Sequence, residues 1–278
     1  MIARENPART DEVVGTVEVS DSDAVDVAVR TAAEAQLLWA ATPVAERTRL
    51  VRAAVDLLDP ELDSIAELTA RETGKVLGDA RGEAGFAATV LRFYAGRGEE
   101  LLRERASDEQ RGRLSVRHRP FGVVGAITPW NAPLILTTLK VAPALVAGNA
   151  IVVKPSPLAP FGVARMLDVI AGALPAGLVQ VVHGEAATAT ALVTHEQVAR
   201  VAFTGGESAG RAIASLAGRS LTPSVLELGG NDPAVVLDDA DLDDAAYERM
   251  LMAAFATSGQ VCMAIKRLYV PAARLGRS

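Results

Sequence analysis

Apolar residues recur at helical spacing through the first hundred positions, then switch after Phe121 to short β-branched runs separated by helical stretches. Val25, Val29, Ala32 and Ala33 share one helical face, with Ser22 as the expected N-cap. A second helix is expected from Pro43, carrying Val44, Leu50, Val51, Ala54, Val55 and Leu58. A third spans 62–73 and stops at Gly74, because glycine accepts the left-handed conformation that ends helices. A fourth runs from Gly78 to about Arg105. After a polar break over 107–112, positions 113–119 alternate polar and apolar, as in an edge or hairpin strand or an exposed basic loop.

Beyond Phe121 the pattern predicts strands over 122–127, 150–154, 179–182, 198–203 and 225–228. Helices are expected between them over 133–146, 161–171, 185–193 and 208–217. Repeated strand–helix–strand units predict an α/β fold: a Rossmann-like parallel sheet with helices on both faces. Ligands of such sheets bind at the carboxyl ends of the strands. Attention therefore falls on Thr128-Pro129-Trp130-Asn131, Lys154-Pro155-Ser156-Pro157, Thr204-Gly205-Gly206-Glu207 and the run from Glu227 into Gly229-Gly230.

Composition narrows the function classes. The chain has 278 residues, half of them apolar, enough for one large domain or two smaller ones. A net charge of −6 argues against nucleic acid or an anionic membrane as the main partner. The start has no signal-peptide pattern, and no long apolar run is free of charge, proline or glycine, so a cytoplasmic, membrane-free protein is expected. A single cysteine excludes an intrachain disulfide and fits a reducing compartment. With three scattered histidines, His118, His183 and His195, it gives no metal-ligand spacing, and no metal site is expected.

Each candidate residue has two readings. Cys262, in Ser258-Gly259-Gln260-Val261-Cys262-Met263, is a nucleophile or a small buried hydrophobe. Lys154 ends a strand, where it meets a ribose hydroxyl or phosphate or snorkels to solvent. Glu227, between leucines, is a general base or simply the exposed member of an alternating strand. Asn131 is an oxyanion donor or the N-cap of the helix that Pro133 begins. Gly205-Gly206-Glu207-Ser208-Ala209-Gly210 lets backbone approach a diphosphate at a helix N-terminus, or is only a tight turn. It does not match G-x-G-x-x-G.

Taken in order, Pro129-Trp130-Asn131, Lys154-Pro155-Ser156, Phe203-Thr204-Gly205, Glu227-Leu228-Gly229-Gly230 and Gly259-Gln260-Val261-Cys262 resemble the NAD(P)-dependent aldehyde dehydrogenase superfamily. The resemblance runs from Asn6-Pro7 through Glu72-Thr73-Gly74-Lys75 to Tyr269. It implies the aldehyde dehydrogenase fold, with a cofactor-binding domain over 1–101 and 121–229 and an oligomerisation hairpin over 102–120. Residues 230–278 would be the start of an incomplete catalytic domain. It implies that Cys262 attacks an aldehyde as the thiolate, that Asn131 and the Cys262 N–H hold the oxyanion, and that Glu227 activates the water hydrolysing the thioester. Lys140 would lie near the proton path. NAD or NADP would be held by Ile127, Thr128, Pro129, Trp130, Lys154, Ser156, Thr204, Gly205, Gly206, Gly210, Leu228 and Gly229. The full-length form would be a homodimer or homotetramer.

Four departures from the family pattern matter. Pro157 replaces the glutamate that disfavours a ribose phosphate, so both NAD and NADP are expected. Gly206 replaces a serine near the diphosphate, and Ala132 replaces a common phenylalanine, widening the aldehyde tunnel toward bulky or aromatic substrates. Ser278 falls soon after Cys262, so a fragment with exposed apolar surface is expected. The alternatives are a non-catalytic remnant that binds nucleotide or a partner subunit, and a reductase of activated acyl groups. Glu227 disfavours the reductase, since a water-activating base serves hydrolysis.

Overall fold

The computed structural model describes residues 1–109 and 112–274, and it opens on an antiparallel hairpin of β1 (Ile2–Asn6) and β2 (Arg9–Val17). The helical expectation for the first hundred residues is corrected here. Val13, Val14 and Val17 are β-branched and favour extended backbone. Next come α1 (Ser22–Ala41), α2 (Val44–Leu58), α3 (Leu62–Thr73) and α4 (Leu77–Leu101). Asp21, not Ser22, caps α1, its carboxylate accepting the Ala24 N–H at 2.9 Å. Gly74 ends α3 at φ +76°. Helix α4 stops short of Arg105 because that residue begins β3 (Arg105–Glu109), paired antiparallel with β4 (Gly112–Val116). Residues 117–119 lie outside the strand, and part of the expected polar break, Gln110 and Arg111, lies outside the described residues.

The sheet then follows: β5 (Val123–Ile127), α5 (Pro133–Val146), β6 (Ala150–Lys154), α6 (Phe161–Gly172), β7 (Val179–Val181), α7 (Ala186–Thr194), β8 (Val198–Thr204), α8 (Glu207–Arg219) and β9 (Ser224–Glu227). All five strands are parallel, in the order β7-β6-β5-β8-β9. The chain winds outward from β5 in one direction and then in the other. Right-handed crossovers therefore place α5 and α6 on one face and α7 and α8 on the opposite one. Helix α1 packs with α7, while α2, α3 and α4 form an outer layer over α5 and α6. A last segment holds β10 (Asp232–Val235), α9 (Asp244–Phe255) and β11 (Ile265–Tyr269), with β10 and β11 paired in parallel. No helix among the described residues is long and apolar enough to cross a membrane.

Two carboxylates sit on the apolar stripes of the outer helices. Glu72 follows Ile65, Ala66 and Thr69 on α3, and Glu83 lies among Ala80, Ala84 and Ala87 on α4; both are buried. Glu72 accepts the Phe161 and Gly162 N–H groups at 2.7 and 2.8 Å, capping α6, whose own N-cap position is Pro160. Gly162 is required there, because a Cβ would run into the Thr69 hydroxyl and the Glu72 carboxylate. Burial raises the Glu72 carboxyl from 4.5 to about 7, against the two backbone donors and the Arg4 charge. Across that window the native state holds a proton the unfolded chain has released. Stability is therefore expected to fall as pH rises, by about 3 kcal/mol at most from this group. Urea titrations below and above the window check this: Glu72→Gln should lack this component of the slope, and identical slopes would remove the assignment.

Candidate functional site

Strands β5, β6, β8 and β9 end at Ile127, Lys154, Thr204 and Glu227 on one edge of the sheet, where the winding direction reverses at β5. Ile127 is part of the buried core. The Thr128 N–H donates to the Lys154 carbonyl at 3.2 Å, while the buried Thr128 hydroxyl has no partner among the described residues. Lys154 does not snorkel: its ammonium is buried and donates to the Pro155 and Gly184 carbonyls, both at 2.8 Å. Two of its three protons are thus used and one is left to give. Burial pulls Lys154 down from 10.5 to about 8, opposed by Glu185. Ser156 is buried, and its hydroxyl accepts the Leu158 N–H at 3.2 Å.

The Gly205 N–H donates to the Glu227 carbonyl at 3.0 Å, tying the ends of β8 and β9 together. Gly206 is the N-cap of α8 and supplies no side-chain acceptor, so the first N–H groups of the helix have no cap bond from it. Nothing lies within 4 Å of where a Cβ would stand on Gly206 or Gly229. Gly210 packs on Leu228, where a Cβ would sit 2.5 Å from the leucine side chain. An uncapped helix start, a spare ammonium proton and an orphaned hydroxyl on one edge fit the diphosphate and hydroxyls of a dinucleotide.

Cys262 is exposed, so the buried-hydrophobe reading is corrected. It follows three residues in the left-handed region, Thr257, Ser258 and Gly259, at φ +52°, +56° and +73°. Glycine takes that conformation freely, but threonine is β-branched and strained in it, by about 1–3 kcal/mol. Asn131 is not the N-cap of α5, since Ala132 holds that position. Its amide Nδ2 donates instead to the Gln260 carbonyl at 2.7 Å, joining the β5 edge to the cysteine loop. On the other side the loop touches Gly230, where a Cβ would lie 2.7 Å from the Cys262 carbonyl oxygen. Lys266 donates to the Gly230 carbonyl at 2.8 Å and reaches toward the Val261 and Cys262 carbonyls at 3.4 and 3.5 Å.

Cys262 stands at the wall of two grooves. One, of about 830 Å³, also takes Asn131, Ala132, Gly78, Gly82 and Met263 into its lining. The other, of about 540 Å³, is lined by Glu227, Lys140, Thr204 and apolar residues including Phe121 and Val225. Lys140 donates to the Thr204 hydroxyl at 2.6 Å and the Leu136 carbonyl at 3.2 Å; burial lowers it from 10.5 to about 8, and Glu227 opposes that shift. Glu227 is exposed. Trp130, exposed where Ile127 is buried, lines a small polar pocket with Asn131, Gln260 and the Gly74–Lys75 turn. The Gln260 carbonyl, the Lys266 contacts and the left-handed Thr257-Ser258 pair were missed in the sequence; backbone conformation and backbone acceptors leave no residue-type signature. Among the described residues no group of three His, Cys, Asp or Glu side chains is placed to hold a metal ion.

The model of the aldehyde dehydrogenase family matches residues 1–276, nearly the whole chain. The chain belongs to the aldehyde dehydrogenase family. Among solved structures it is similar to the NADP-dependent glyceraldehyde-3-phosphate dehydrogenase of Bacillus halodurans, complexed with NADP, at 36% identity and a TM-score of 0.92, over 98% of this chain and 58% of that one. It is similar to the NAD-dependent aldehyde dehydrogenase of Sinorhizobium meliloti at 34% identity and a TM-score of 0.91, over 96% of this chain and 54% of that one. An NADP-dependent enzyme of E. coli matches at 35% identity and a TM-score of 0.92, over 97% of this chain and 56% of that one. The chain thus has the aldehyde dehydrogenase fold and spans a little over half the length of these structures.

Proposed function

We propose that this chain carries the nucleotide site and the nucleophile of an NAD(P)-dependent oxidation of an aldehyde to a carboxylic acid. The observation that carries the reading is the position of Cys262 at the wall of one groove with Asn131 and of another with Glu227. In the first step the Cys262 sulfur, as thiolate, bonds to the aldehyde carbon and the carbonyl π pair moves to oxygen. The Asn131 amide has one proton on Gln260 and a second to give that oxyanion, alongside the Cys262 N–H. A nicotinamide dinucleotide held at this edge would supply the hydride acceptor, and loss of hydride from the former aldehyde carbon would leave a thioester on Cys262. Glu227 then removes a proton from water as its oxygen attacks the thioester, and the C–S bond breaks to restore the thiolate. Lys154, Ser156 and Thr128 would hold the adenosine side, and Thr204 with residues 205–210 and 228–229 the diphosphate.

Pro157 supports use of both NAD and NADP, since no carboxylate stands there to repel a phosphate. Ala132, Gly78 and Gly82 line the larger groove and favour a bulky or aromatic aldehyde. Residues 1–101 and 121–229 are read as the cofactor-binding domain, 230–278 as the start of the catalytic domain, and 102–120, with exposed Leu114 and Val116 on β4, as an oligomerisation hairpin. The family suggests a homodimer or homotetramer for the full-length form, and the single thiol suggests the cytoplasm. A second reading, nucleotide binding without turnover, is favoured by the thin burial of 230–274, where Ala264 alone among the described residues is buried.

Rapid mixing of the chain with NAD or NADP and a series of aldehydes separates the two. A burst of reduced nucleotide, absent in Cys262→Ala, is the expected result. Nucleotide binding without a burst would leave the second reading in place. A strong preference for NAD, or turnover of two- and three-carbon aldehydes only, would remove the corresponding specificity claims.

A further inference from the structure

Helix α5 begins one residue after the Asn131-Ala132 pair, and its own flank offers no cap: Ala132 has no side-chain acceptor and Pro133 is the first helical residue. The acceptor comes from another helix. Glu83 Oε1 on α4 accepts the Leu134 N–H at 2.7 Å and the Ile135 N–H at 3.4 Å. The other Glu83 oxygen pairs with the Lys75 ammonium, and the two side chains are only 3% and 5% exposed. A carboxylate at a helix N-terminus is favoured by the N–H groups and dipole it faces, and the lysine balances its buried charge. Between the capped turn and the Asn131 amide stand only Ala132 and a proline with fixed φ. From Asn131 the connection continues through Nδ2 to the Gln260 carbonyl, two residues before Cys262.

We propose that Glu83, held by Lys75, is a positioning residue for Asn131: by capping α5 from outside it sets the direction in which the Asn131 amide meets the cysteine loop. The proposal rests on the oxyanion role assigned to Asn131 for its catalytic consequence, and on geometry alone for its structural one. Neither Glu83 nor Lys75 is asked to touch a reacting atom.

The test uses two double variants, because removing one partner would leave the other charge buried and alone. In Lys75→Gln/Glu83→Gln, the glutamine introduced on α4 keeps an oxygen for the Leu134 N–H, while its amide faces the oxygen of the glutamine introduced after Gly74. In Lys75→Met/Glu83→Leu the pair is apolar and the acceptor is gone. The first variant should keep the burst rate within about threefold, and the second should lose roughly 10- to 100-fold in burst rate, the scale expected when a reacting geometry is loosened at a distance. Nucleotide affinity per folded molecule should be unchanged in both. Independently of activity, the Asn131 side-chain amide protons, followed by NMR in isotope-labelled protein, should keep their native chemical shifts and slow solvent exchange in the first variant, and should move toward random-coil shifts and exchange faster in the second. Equal burst losses in both variants, tracking their melting temperatures, would overturn the proposal. So would an Asn131 amide unchanged in the apolar variant. If the unaltered chain gives no burst, the aldehyde reading fails, and the amide signal alone then decides whether Glu83 positions Asn131.

Discussion

Glu227→Gln is expected to leave the first turnover intact and to suppress those that follow. In the proposed cycle, thioester formation needs the sulfur, the oxyanion donors and the nucleotide, none of which draws on the Glu227 carboxylate. Hydrolysis needs a base for the water, and glutamine offers none. Loss of a general base typically costs about 10²- to 10⁴-fold, so reduced nucleotide should appear once per site and then nearly stop. Intact-mass measurement should find the acyl group retained on the chain. Glutamine preserves the size of the residue, and the Glu227 backbone carbonyl still receives the Gly205 N–H, so the β8–β9 edge should survive. Loss of the burst together with steady turnover would show instead that Glu227 acts before the thioester, and would reverse the order of steps argued above.

Asn131→Asp should strike the opposite half of the cycle. The substitution is nearly isosteric, but both side-chain donors vanish and a negative charge faces the forming oxyanion. A single oxyanion donor is commonly worth about 10²- to 10³-fold in rate, and the introduced repulsion adds to that. The burst itself should slow by at least this factor while nucleotide affinity stays the same, because the groove that Asn131 lines includes neither Lys154 nor a residue of α8. Asn131→Ala separates the two contributions: it loses the donor without adding charge, and should fall between wild type and Asn131→Asp. An Asp variant as fast as wild type would leave the oxyanion with the Cys262 N–H alone.

Much of the architecture was readable because the sheet strands and the helices between them carry clean periodicity. Val123–Ile127, Ala150–Lys154 and Pro133–Val146 fall within a residue of their expected bounds. The opening hairpin was overlooked because its strands alternate weakly, with Gly15 interrupting the valines. The family was legible from residue types in order, but the geometry of the candidate site was not. Nothing in Asn131 says that its partner is a main-chain oxygen 129 residues away. Glu72 and Glu83, by contrast, left a readable mark: each is a carboxylate on a helical stripe of otherwise small or apolar residues, Ile65, Ala66 and Thr69 before Glu72, and Ala80, Ala84 and Ala87 around Glu83. A charge on such a stripe is stable only with partners, and here the partners are the uncapped starts of α6 and α5.

The two halves of the site do not share one degree of order. The proposed nucleotide edge is anchored on β5 and β6, whose residues are all buried, so it should open only when the body of the molecule melts. The sulfur hangs on a thinly packed stretch where, among the described residues, helix α9 buries none and the strands pair only with each other. On gentle warming, thiol chemistry should fade while the dinucleotide is still gripped, so that a heated sample titrates as a binder before it stops being a folded protein.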